Sequence, residues 1–70
     1  MQVEAGQLRQ WRSEVAVLSD SNGGSVFLVI ERDPAFQYDS FWLVLRSEGG
    51  MKSWSETRIE GWSEVIGGDG

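Results

Sequence analysis

The sequence predicts an all-β domain, a small barrel of five short strands, on three observations. Its apolar residues fall into brief runs rich in β-branched and aromatic side chains, such as Val26-Phe27-Leu28-Val29-Ile30 and Phe41-Trp42-Leu43-Val44-Leu45. Turn signals built on Gly, Asn and Pro separate those runs. No window keeps apolar residues at the three-and-four spacing of an amphipathic helix.

In chain order, Gly6 to Trp11 alternates, with Leu8 on one side of the ribbon and Trp11 on the other, and reads as a first strand. Glu14 to Leu18 fits a strand, the apolar anchor of a long loop, or a short helix over Ser13–Leu18. Ser19 to Ser25 is a turn cluster, because Asn22-Gly23-Gly24 supplies the positive φ of tight hairpins. Val26–Ile30 is apolar at every position, which predicts a strand that is central or covered on both faces. Glu31-Arg32-Asp33-Pro34 ends it, since Pro34 has no N–H for a ladder. A loop tipped by Phe36 and Tyr38 leads into the Phe41–Leu45 strand. Glu48-Gly49-Gly50 is a tight turn, Met51–Trp54 a shorter strand and Ser55–Glu60 a polar one-turn link. Gly61–Ile66 is the last strand. One domain over residues 1–66 with a disordered tail at 67–70 is expected.

Seventy residues bury only about 60% of the surface that the unfolded chain exposes. A core of this size rarely contributes more than about 3–5 kcal/mol without a staple. Cys and His are absent, so disulfides are excluded and a zinc site has no thiolate or imidazole to use. Four Trp and three Phe therefore carry most of the burial, and self-association is the remaining route to extra stability. Absence of Cys fits a reducing compartment, so a cytoplasmic location is expected. The chain shows neither a signal peptide nor a membrane-length apolar run. A net charge of −5 with dispersed Arg and Lys disfavours nucleic acid as a partner.

Gly6-x-Leu8-x-x-Trp11, the paired runs around Val26–Ile30 and Phe41–Leu45, and Lys52-x-Trp54 followed by Ile59-Glu60 and Val65-Ile66 resemble an SH3-like small barrel. More narrowly they resemble the short SH3-like proteins of unassigned function that phages and other mobile elements encode. The resemblance covers about residues 4–66. It implies five strands and a single 3₁₀ turn near Thr57–Ile59, and it implies no activity. Trimethoprim-resistant type II dihydrofolate reductases are also SH3-like chains of this size. Their Val-Gln-Ile-Tyr strand is replaced here by Met51-Lys52-Ser53-Trp54, so their activity is not expected.

Catalytic chemistry finds little support in the residues. Glu31 with Asp33, or Asp39 across the loop, are the candidate paired carboxylates, but a turn flanked by polar residues offers no apolar wall to raise a carboxyl pKa. The many serines have no His to act as base. No enzyme activity, cofactor or metal is expected. A barrel this small hides two Trp, so the others should form an exposed shelf. Phe36, Tyr38, Trp42 and Trp54 make that shelf, with Asp33 and Asp39, and further off Glu14 and Asp20, as acids beside it. The function expected is a small protein–protein interaction module that self-associates or docks on a larger assembly. The alternative is a nucleic-acid-contacting small barrel, which requires most of Arg9, Arg12, Arg32, Arg46, Lys52 and Arg58 on one face.

Overall fold

The computed structural model describes residues 3–12, 24–35 and 40–67. Five strands form one antiparallel sheet: β1 (Leu8–Trp11), β2 (Val26–Arg32), β3 (Phe41–Arg46), β4 (Met51–Ser55) and β5 (Ser63–Gly67). Their spatial order is β4-β3-β2-β1-β5. The all-β class, the strand count and the central place of Val26–Ile30 agree with the sequence. Residues 13–23, which include the Glu14–Leu18 segment and most of the Asn-Gly turn, lie outside the described part.

Closure differs from expectation. The sheet is not closed into a barrel, because β4 and β5 remain its two edges. Between them stands an α-helix, α1 (Glu56–Trp62), where a single 3₁₀ turn was expected. Seven residues of α-helix advance about 10 Å, roughly twice the 4.8 Å spacing of paired strands. The longer helix and the unpaired edges are thus one fact. The helix also takes Gly61 and Trp62 from the expected last strand, which begins at Ser63 and runs through Gly67, a residue expected in the tail. Gly67 pairs with Leu8.

Local chemistry explains α1. Ser55 caps it, its hydroxyl accepting from the Arg58 N–H at 3.2 Å, and Glu56 places a carboxylate in the first turn, where the helix dipole favours it. Its one buried residue is Ile59, so the helix shows no apolar periodicity to detect. The β3–β4 turn follows the sequence: Gly49 and Gly50 hold φ of 94° and 88°, and a Cβ on Gly50 would lie 2.8 Å from Arg46 Nη2.

Although open, the sheet curls tightly. On a flat sheet, indoles on β1 and β4 would stand about 14 Å apart. The Trp11 and Trp54 rings instead meet edge to face with centroids at 5.4 Å. Register irregularities at Leu8/Arg9 and Val29/Glu31 bend β1 and β2 and permit this curl. The core on the concave face comprises Val3, Trp11, Phe27, Val29, Trp42, Val44, Trp54 and Ile59. Three of the four tryptophans are inside, one more than the sequence argument allowed, because edge-to-face packing on Trp11 and a tilted contact of Trp11 with Phe27 at 4.7 Å use the space of a curled sheet efficiently.

One side chain in this core is charged. Arg9 is 2% exposed. Its Nε donates to Ser63 Oγ at 2.9 Å, Nη1 to Gln7 Oε1 at 2.8 Å, and Nη2 to the Ile59 and Ser63 carbonyls at 3.3 Å each. The Ser63 hydroxyl in turn donates to the Ile59 carbonyl. Burial pulls the guanidinium below the usual arginine range, and nearby Glu60 opposes that shift. The last turn of α1 has no basic residue of its own, so Arg9 supplies from β1 the positive charge that the helix C-terminus favours.

Replacing Arg9 removes the buried donors that Gln7 Oε1, Ser63 Oγ and the Ile59 and Ser63 carbonyls receive. Arg9→Met is expected to lower unfolding free energy by about 3 kcal/mol, read by tryptophan fluorescence in urea. A midpoint shift too small to detect would remove Arg9 from its structural role. Ser55→Ala should cost about 1 kcal/mol in the same assay.

Candidate interaction surfaces

The antiparallel registers give the sheet two distinct faces. Residues that pair directly share a face, so the concave side carries Arg9 and Trp11 of β1, Phe27 and Val29 of β2, Trp42 and Val44 of β3, and Trp54 of β4. The convex side is unusual. Leu8 pairs with Leu28, Leu28 with Leu45, and Leu45 with Met51. Four apolar side chains therefore form a straight rank across four strands. Leu45 is 42% and Met51 48% exposed. Sheets with one solvated face normally alternate apolar-in with polar-out; here both faces are apolar.

The expected aromatic shelf is arranged differently. Trp42 and Trp54 pair across β3 and β4 but are buried, so they form core rather than an open ledge. Trp42 Nε1 donates to Glu56 Oε1 at 3.0 Å; Trp54 Nε1 is enclosed without a partner. Phe36, Tyr38, Asp39, Glu14 and Asp20 lie outside the described residues. Asp33 ends β2, where it accepts from the Ala35 N–H at 2.9 Å and from the Ser53 hydroxyl. Those hydrogen bonds, Ser53 first, hold its carboxyl below the usual aspartate range, with partial desolvation working the other way. An acid locked into its own turn and held ionised is a structural cap for that turn.

The aromatic residue that does face outward is Trp62, 39% exposed at the end of α1. The sequence pattern predicts a strand at this position, whereas Trp62 ends the helix. Arg58 stacks between two indoles, its Cζ 5.1 Å from the Trp54 ring and 5.1 Å from the Trp62 ring. Lys52 Nζ lies 5.9 Å from the Trp54 ring. Arg32 lies over Trp42 at 4.9 Å, with its Nη2 3.8 Å from Glu56 Oε1. The Arg12 N–H donates to the Trp62 carbonyl at 2.9 Å. The four-residue spacing of Arg58 and Trp62 was the available signal, since it brings a cation beside an aromatic ring once the segment is helical; Trp54 reaches Arg58 from β4.

Among the described residues, no three His, Cys, Asp or Glu side chains gather to hold a metal, and no helix is long and apolar enough to cross a membrane. No protein-family model, curated protein or solved structure matches this chain.

The Asp33 contacts have a pH consequence. Its folded-state carboxyl titrates below the unfolded value of about 3.9, so the stabilisation is complete above that pH and is lost as pH falls through the lower folded value. Ser53→Ala should move the Asp33 titration back toward the ordinary range, followed by carboxyl carbon NMR. An unmoved midpoint would show that Ser53 does not set it.

Proposed function

We propose that this chain is a small protein–protein interaction module on an SH3-like scaffold, and that it self-associates through the convex face of its sheet. The scaffold reading draws support from the meander of β1 to β4, the return of β5 beside β1, and the helix between β4 and β5. The interaction reading rests on one observation, the uncharged rank Leu8–Leu28–Leu45–Met51 across the convex face.

A second copy fits this face for two reasons. The rank itself carries no charge, so two copies meeting on a two-fold axis place apolar side chains on apolar side chains, with Glu31 and Glu64 beside it on the same face. The patch also has suitable dimensions. Four strands span about 15 Å, and an apolar patch of about 300–600 Å² is the largest that monomers ordinarily expose. Two such patches bury less than about 1,200 Å² in total, the range of weak and reversible association. A small core gains from it: burial of Leu45 and Met51 adds apolar area that the lone subunit lacks.

Sedimentation velocity over a wide concentration range tests this reading. The native chain should show a concentration-dependent monomer–dimer equilibrium, and Leu45→Glu with Met51→Glu should remain monomeric with an unchanged fold. A native chain that stays monomeric at the highest concentration, or a double variant that still dimerises, would overturn it.

A further inference from the structure

The chain holds no Cys and two Met, so its sulfur chemistry belongs to thioethers. Met51 is the one that lies among the described residues. It opens β4, which has no outer neighbour among those residues, and its direct pairing with Leu45 places it on the convex side. At 48% it is the most exposed of the large apolar residues described. Leu8 and Leu28 are half-buried, so most of the apolar surface that the convex rank offers a second copy lies on two neighbours, Leu45 at 42% and Met51. One of those two is inert to oxidants. The other is a thioether open to solvent, the condition under which methionine is readily oxidised.

We propose that Met51 is a modification site for hydroperoxides, and that its oxidation to the sulfoxide releases the self-association of the convex face; the inference rests on that reading of the face. The sulfur lone pair attacks the terminal oxygen of the hydroperoxide, and an S–O bond forms as the O–O bond breaks. The proton on that oxygen passes to the departing one, which leaves as water or an alcohol. The same electron pair oxidises the thioether and reduces the peroxide. The product carries a strongly polar S–O group in place of an apolar side chain. In the lone subunit that group stays in water, so the fold is untouched. In the contact it meets apolar side chains instead, and the lost hydration weakens association about 10-fold for one sulfoxide and about 100-fold when a two-fold axis brings in both. A dithiol reductant such as a methionine sulfoxide reductase reverses the change, removing the oxygen as water while its thiols close to a disulfide. Association in turn covers the sulfur, so Met51 oxidises more slowly in concentrated protein than in dilute.

Sedimentation velocity before and after treatment with hydrogen peroxide tests the proposal, with peptide mass spectrometry to locate the added oxygen. The oxidised native chain should keep its circular dichroism spectrum, shift toward monomer by the factor above, and recover its association after methionine sulfoxide reductase with dithiothreitol. Met51→Leu, close to the native side chain in volume, should associate as the native chain does and go on associating after peroxide, although Met1 is still there to be oxidised. The rate of oxygen uptake at Met51 should fall as protein concentration rises through the association range. A reduced native chain that stays monomeric refutes the convex-face reading and this proposal with it. A reduced chain that associates while its Met51 sulfoxide form associates equally well overturns this proposal alone. So does Met51→Leu that dissociates on peroxide, or an oxidation rate at Met51 that ignores protein concentration.

Discussion

Arg9 reaches from β1 across the concave side of the sheet to the C-terminal carbonyls of α1, and the remaining architecture depends on that reach. The sheet has two unpaired edges, and hydrogen bonding within strands does nothing to fix how far they stand apart. Arg9 does, because a single rigid fork is bonded at once to Gln7 before β1, to Ile59 in α1 and to Ser63 at the start of β5. A buried guanidinium is costly unless its donors are matched. Here they are matched by the Gln7 side-chain carbonyl, the Ser63 hydroxyl and the Ile59 and Ser63 carbonyls. Those contacts tie β1 to the end of the helix that carries Arg58 and Trp62.

That interaction also marks the limit of what the residues disclosed. The strands on Val26–Ile30 and Phe41–Leu45, the Gly49-Gly50 turn and the Ser55 boundary were all legible, because β-branched runs and positive-φ glycines are local signals. The helix was not. Its only buried side chain is Ile59, and one buried residue makes no period; its stability comes from Ser55 at one end and Arg9 at the other, and the second lies fifty residues away. Nor was the burial of Trp42 and Trp54 legible. Counting how many indoles a small core can hold assumes a fixed volume, whereas the curl that lets Trp11 meet Trp54 is set by irregular register at Leu8/Arg9 and Val29/Glu31. Arg9 itself, one cation among dispersed cations in the sequence, carried no mark of its enclosure.

The two candidate surfaces follow from the same curl. Bending toward the tryptophans closes the concave side over the core and leaves the convex rank of Leu8, Leu28, Leu45 and Met51 stretched across the outside. At the open end of the concavity, where α1 spans the gap, the rims of Trp42 and Trp54 meet cations from β2, β4 and α1. The convex side therefore carries an apolar rank, and the rim of the concave side carries indoles with cations stacked on them, on opposite sides of one sheet. A dimer formed through the first would present two copies of the second, facing away from each other.

A sheet that is apolar on both faces raises the question of what keeps it in register. Sliding a strand by one residue exchanges its faces. In β3 that exchange would place Phe41, Leu43 and Leu45 inside and Trp42 and Val44 outside, which hydrophobicity alone barely opposes. Three features oppose it. Gly49 and Gly50 fix where β3 turns into β4, because only glycine accepts those two conformations cheaply. Ser63 and Gln7 accept the Arg9 fork only when Trp11 faces Ser63 across β1 and β5. Glu56 receives the Trp42 N–H only when Trp42 points inward beside α1. Polar contacts thus choose between two packings of similar apolar content, and the convex rank is left free of that duty. Its apolar character is not required to specify the fold, which is the physical reason to assign it to association.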